Sequence, residues 1–158
     1  MTSRILFPVN NVDVSELAPV KLAYQAGVFD SEGCVHIAKQ WIGERPRPSY
    51  RLRLDISQNY LRMLVDFQRE VGIEGRIYEV ARTVSQNRTC YSLRYDGAAA
   101  SRVLERLQPY LRRKELEAQV AQEFVRETQI SRHFGPKGAP PEIWRRRRYY
   151  YNKLRSMK

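Results

Sequence analysis

The chain has 158 residues, with 28 Lys plus Arg against 17 Asp plus Glu and a formal net charge of +11. That length suits one domain with its own core, and no apolar run is long enough to span a membrane. Two isolated cysteines (Cys34 and Cys90) and two histidines argue against a disulfide framework or a structural zinc site, while the charge points to an anionic partner.

Residues 1–14 read as an irregular N-terminal arm without the apolar core or cleavage pattern of a signal peptide. A helix is expected to begin around Ser15–Pro19 and to run through VKLAYQAGVF to about Phe29. Gly27 lies in its interior, at a cost of about 1 kcal/mol relative to Ala, which is a sign of close approach by a second helix. Gly33 then permits a sharp turn. CVHIAKQW follows as a half-buried strand, with Val35, Ile37 and Trp41 alternating with His36, Ala38 and Gln40. ERPRPS is a proline-broken loop. YRLRLDISQ sets Leu52, Leu54 and Ile56 on one face against Arg51, Arg53 and Asp55 on the other.

Asn59 is the expected N-cap of a helix carrying Leu61, Leu64, Val65 and Val71 and ended by Gly72. GRIYEVARTV and TCYSLRYD read as a hairpin joined by SQNR. Asp96 is expected to cap a short helix through Leu107, and a longer helix runs from Tyr110 to Thr128. HFGPKGAPPE is a linker by composition, and IWRRRRYYYNKLRSMK is a last helix. The order predicts an α+β fold: an antiparallel sheet saddle with helices on one face, in the order αββαββα, plus a C-terminal basic helix. The expected divisions are 1–14 (arm), 15–130 (domain), 131–141 (linker) and 142–158 (basic helix).

An antiparallel sheet can bury one face and leave the other wet. Here the wet face carries Arg51, Arg53, Asp55, Tyr78, Arg82 and Arg94, with His36, Ala38 and Gln40, and Arg88 in the turn beside it. Arginine, glutamine, aspartate and tyrosine together suit the reading of base edges and phosphates. An ordinary solvated face is the plainer alternative, and the excess of Arg with almost no Lys or Glu weighs against it.

Two acids, Asp30 and Glu32, end the first apolar helix. Each has three roles open to it: capping backbone groups, pairing with an arginine, or holding a divalent cation. Spacing by itself favours capping. Lys114 is also notable, because it falls on the helical stripe of Leu111, Ala118, Ala121 and Val125. A lysine there needs an anionic partner or a wet pocket, unless it snorkels from the stripe's edge.

QAGVFDSEG, residues 25–33, resembles the LAGLIDADG motif of homing endonucleases. It departs from the pattern at Gln25, where the motif opens with an apolar residue. LRLDISQNYLRML resembles the same family's second strand and following helix, and LERLQPYLRRKELEAQ resembles its LQP-type segment, so the resemblance covers roughly residues 17–128. It implies a single-motif, homodimeric enzyme that cuts both strands of a long, near-palindromic duplex. It implies Mg²⁺ held by Glu32 and the Ser31 carbonyl, with Mn²⁺ or Ca²⁺ able to substitute for binding. Gln58, Arg62 and Lys114 are then the further catalytic positions. Gln25, Ala26, Gly27, Phe29 and Asp30 line the helix–helix contact, with Asp30 a structural cap. The resemblance places the protein inside the cell, in the cytoplasm or a DNA-containing organelle, and admits intron RNA as a further partner. A second reading is a non-cleaving nucleic-acid-binding protein of the same fold, an intron maturase or a regulator. A third is a basic structural or ribosome-associated protein.

Residues 142–158 hold seven of the 28 basic residues and one acid. Ile143, Tyr150, Leu154 and Met157 fall near one helical face, with Trp144 and Tyr151 beside it. A helix docked on the core, laying Arg145, Arg146 and Arg148 along phosphates, is favoured over a frayed tail because disordered tails rarely carry so many aromatics.

Overall fold

The computed structural model describes residues 4–5, 19–80, 88–128, 134–135 and 138–158. The predicted helix start at residues 15–18, the end of the first hairpin strand with Arg82, most of the hairpin turn, and much of the linker lie outside the described residues.

Among the described residues the chain runs β1 (Arg4–Ile5), α1 (Pro19–Glu32), β2 (Gly33–Gln40), β3 (Ser49–Gln58), α2 (Leu61–Val71), β4 (Arg76–Val80), β5 (Cys90–Asp96), α3 (Ala98–Leu107), α4 (Glu115–Glu127) and α5 (Pro141–Ser156). The strands form one antiparallel sheet in the order β1-β4-β5-β3-β2. No helix of the described residues is long and apolar enough to cross a membrane.

Period-two alternation decides which face is covered. Val35 and Ile37 of β2, Leu52, Leu54 and Ile56 of β3, Ile77 of β4, and Leu93 and Tyr95 of β5 are all buried. The helices close over them. Phe29 of α1 meets Phe67 of α2 at 6.5 Å between ring centroids, and Phe67 meets Tyr95 at 6.4 Å. Burying each such side chain contributes about 1.5–3 kcal/mol. Tyr95 completes its burial by donating its hydroxyl to the Ile73 carbonyl at 3.0 Å, and burial pushes its pKa up.

The basic C-terminal helix is docked. Tyr150 and Leu154 are buried, Tyr150 against Phe124 of α4, and Tyr50 of β3 packs between Trp144 and Tyr151. Arg147, flanked by exposed arginines, turns inward and donates to the Thr128 carbonyl at 3.0 Å. That bond answers a carbonyl left open at the end of α4.

Several local expectations are corrected. Trp41 lies beyond β2 and is 63% exposed. Tyr60, rather than Asn59, stands at the N-cap of α2, because β3 continues to Gln58 and leaves Asn59 in the bend. Gly97, rather than Asp96, caps α3; Asp96 is the last residue of β5. The helix expected over 110–128 is broken by a 3-10 turn (Gln108–Tyr110) and a bend, so α4 begins at Glu115. Gly33 opens β2 directly instead of forming a separate turn. A Cβ at Gly33 would stand 2.5 Å from the Phe29 carbonyl oxygen, so only glycine lets the strand leave the helix so closely.

Candidate active centre and nucleic-acid interface

The acids at the end of α1 have separate environments. Asp30 reaches across to the turn before α4. Its carboxylate accepts the backbone N–H of Arg112 at 2.7 Å, Arg113 at 3.3 Å and Lys114 at 3.0 Å. It therefore holds the turn that leads into α4, more than 80 residues away in sequence. Lys114 is the N-cap residue of α4, buried rather than snorkelling, and donates its Nζ to the Asp30 carbonyl at 2.8 Å. Asp30→Ala should cost about 2 kcal/mol in urea unfolding, because three N–H groups lose their acceptor; Asp30→Asn, which keeps one oxygen, should cost less.

Glu32 is exposed and has no hydrogen-bond or ion-pair partner among the described residues. It occupies the last position of α1, where the helix dipole disfavours an anion and favours a cation. The Ser31 hydroxyl bends back to the Gly27 carbonyl at 2.8 Å, and the Ser31 carbonyl lies in the last turn of α1, where no helical i+4 donor follows. Free oxygens at a negative helix end suit a hard divalent cation. No group of three His, Cys, Asp or Glu that would enclose a metal occurs among the described residues. One subunit thus offers one carboxylate, and water or phosphate must complete any shell. Gly33 pairs with Ile56, so Gln58 ends β3 at the same end of the sheet. Arg62 lies on the exposed face of α2, held by Asp66 at 3.0 Å.

The open face of α1 differs from the one expected at a helix–helix contact. Ala26 and Phe29 are wholly buried within the subunit, and Gln25 is buried with its amide donating to Glu70 at 2.6 Å. Within one chain these three side chains belong to the core and present almost no surface. Val20, Ala23, Tyr24, Gly27 and Ser31 form the exposed stripe. A Cβ at Gly27 would meet no atom within 4 Å, so nothing inside the subunit requires this glycine.

On the wet face, register places opposite charges opposite each other. Asp55 is paired with Arg94, which donates at 2.7 Å, and Arg53 is paired with Asp96, again at 2.7 Å. Arg76 adds a second contact to Asp96 at 2.6 Å, and Arg94 lies over the Tyr78 ring at 5.1 Å. Cross-strand pairs of this kind contribute about 0.2–1 kcal/mol each. Their larger effect is to hold guanidinium planes in fixed orientations, which lowers the entropy cost of meeting a base edge or phosphate. Burial pushes the Asp96 carboxyl up, but the bonds from Arg53 and Arg76 leave it below its ordinary value. Arg51 is exposed without a partner, Ala38 lies opposite it, Gln40 is exposed at the strand end, and Arg88 is exposed just before β5. Arg145, Arg146 and Arg148 are exposed along α5. Arg76, Ser57 and Asp96 belong to this face and escaped sequence reading. Their strand parity with Tyr78, Asp55 and Arg94 was the available signal.

His36 stands 3.7 Å from Asp55 and 3.7 Å from the Cys34 thiol, which accepts from Lys158 at 2.9 Å. Burial lowers its pKa below 6.5; Asp55 opposes that, and Lys158, Arg53 and Arg94 reinforce it. The unfolded chain takes up this proton near pH 6.5 and the folded chain only at lower pH. Stability should therefore decline as pH falls below about 6.5, until the folded imidazole protonates. His36→Gln should flatten this part of a thermal-melting profile against pH.

No protein-family model and no curated protein matches the chain. Solved structures do. I-CvuI, a homing endonuclease in complex with its target in the presence of Ca, aligns over 88% of this chain and 82% of its own at 20% identity, with a TM-score of 0.69. The archaeal intron-encoded homing endonuclease I-Vdi141I, complexed with DNA, aligns over 88% and 84% at 15% identity and 0.68. The LAGLIDADG homing endonuclease I-GzeII, in complex with a DNA target, aligns over 85% of this chain but 43% of its own, at 14% identity and 0.61. The chain has the LAGLIDADG endonuclease fold.

Proposed function

We propose that this protein is a site-specific DNA endonuclease that hydrolyses both strands of a long, near-palindromic duplex with a divalent metal, Mg²⁺ by preference, acting as a homodimer. The observation that carries this reading is Glu32: an exposed, unpartnered carboxylate at the end of a capped helix, on a fold whose solved examples include complexes with DNA targets. The Glu32 carboxylate and Ser31 carbonyl would hold the cation, which would polarise a phosphate oxygen and lower the pKa of a bound water. Asp30 fixes the helix end that presents Glu32, and Lys114 supplies positive potential two residues before it. Gln58 is assigned to orienting the attacking water, and Arg62 to the phosphate beside it.

One subunit offers one Glu32, and a duplex requires two cuts. The chain matches most of I-CvuI but under half of I-GzeII, which supports assembly from two copies. Two copies related by a twofold axis imply a site with matching halves. Each wet face, with His36, Ala38, Gln40, Arg51, Arg53, Asp55, Tyr78 and Arg94, and Arg88 just before β5, would read one half. A dimer of twice +11 would bind with strong salt dependence.

Selection of cleaved products from a randomised duplex library, with Mg²⁺ and with EDTA, tests the reading. One long site with related halves, cut only with Mg²⁺, is expected. Tight duplex binding with no cutting under any divalent ion would replace it with a non-cleaving binding protein.

A further inference from the structure

The Gln40 end of β2 carries a cluster unrelated to Glu32. Lys39, Arg47 and Arg148 supply cations, and Trp41, Trp144 and Tyr151 supply rings, around a cleft of about 370 Å³. No carboxylate lines this cleft or the two beside it, which add Arg45, Arg51 and Arg147. Trp144 is pinned: its Nε1 donates to the Pro48 carbonyl at 3.2 Å, and the Arg47 and Arg148 guanidiniums each lie 5.6 Å from its ring centroid. Trp41 is 63% exposed and has no ring or cation partner among the described residues. A solvent-facing indole beside ordered guanidiniums has no role in holding the fold.

The cleft opens on the other side of β2 from most of the duplex-reading face, although Arg51 of that face lines a neighbouring cleft. Lys39 shares strand parity with Val35 and Ile37, so it faces the helix side, opposite His36, Ala38 and Gln40. The eight residues of β2, at about 3.3 Å each, set it roughly 25 Å from Glu32.

We infer that this cleft binds an unpaired nucleotide of a single-stranded nucleic acid, stacking its base on Trp41 and holding its phosphates with Lys39, Arg47 and Arg148. Exposed rings interleaved with cations are what unstacked strands require, because every base offers a π face and every linkage an anion. A paired base is already stacked and presents no face to Trp41. RNA and single-stranded DNA share this chemistry; the 2′-hydroxyl tells them apart.

The chain has two tryptophans, and both line the cleft, so intrinsic tryptophan fluorescence reports on it alone. The full-length protein is titrated with oligouridine and oligothymidine of about 12 nucleotides, alone and with a saturating random-sequence duplex, at about 0.15 M salt. Quenching that survives the duplex is expected, and Trp41→Ala should weaken single-strand binding about tenfold or more while leaving duplex affinity within about twofold. Trp144 remains as reporter in Trp41→Ala, and Arg47→Ala with Arg148→Ala, which keeps both tryptophans, should weaken single-strand binding comparably. Preference for either oligomer supports the site and names its source. Absence of quenching, complete displacement by duplex, equal loss of duplex binding in Trp41→Ala, or equal quenching by polyglutamate would each overturn the inference.

Discussion

Glu32→Gln should abolish strand cleavage while leaving the subunit folded and duplex binding intact. Glutamine keeps the size and one oxygen of the side chain but loses the charge that would hold the cation. Metal stabilisation of a developing phosphate charge is worth several kcal/mol, and each 1.4 kcal/mol is tenfold, so a fall of at least about 10³-fold is expected. Stability should not fall, because Glu32 has no protein partner to lose. Removing an anion from a helix C-terminus should instead add about 0.3–1 kcal/mol. Nicking of a plasmid carrying the selected site, in Mg²⁺, reads the first effect; duplex affinity in Ca²⁺ and thermal melting read the others. A mixed dimer with one altered copy should nick a single strand. Undiminished cleavage by the variant would remove Glu32 from the metal site.

Gly27→Leu should break the proposed dimer and spare the fold of each chain. The exposed stripe of α1 carries two large apolar residues, Val20 at 78% and Tyr24 at 62% exposure, with Ala23 beside them and Gly27 one turn further on. Packed helices lie about 8–10 Å apart, and small residues permit the lower end of that range. A leucine would hold a partner helix away. Within the subunit it meets open space, and its helix propensity should add about 1 kcal/mol. The variant should sediment as a monomer with raised thermal stability. Its duplex affinity should drop by about 10² or more as the two half-sites cease to be linked, and double-strand cuts should vanish. A dimer that persists at micromolar concentration would rule out pairing through this stripe.

The residues expected at that contact show where sequence reading stops. Helical spacing places Gln25, Ala26 and Phe29 on a common side of α1, but which side meets the sheet is settled by Phe67, and the whole helix turns accordingly. Gly27 was legible as a costly residue inside a helix because that cost is intrinsic; within the chain it faces open space, and the second helix belongs to the proposed dimer. Asp30 was legible as a capping residue, but its target, the turn at Arg112–Lys114, was not. The partners are more than 80 residues apart, and no local pattern encodes such a pairing. The same bond explains why the helix expected from Tyr110 breaks: the backbone at 112–114 turns toward Asp30 before α4 begins.

What the sequence determined by itself was the order of elements from α1 onward, though not β1 in the arm read as irregular, together with the two faces of β2 and β3 and the apolar helix that ends in a pair of acids. Each follows from a local period of two or 3.6 or from a single residue's intrinsic preference. The tertiary structure decided the pairing of charges across strands, the free face of α1, the inward turn of Arg147 amid its exposed neighbours, and the separation of Asp30 from Glu32. These depend on register and on the packing of helices against one sheet face, where a side chain's surroundings come from distant parts of the chain.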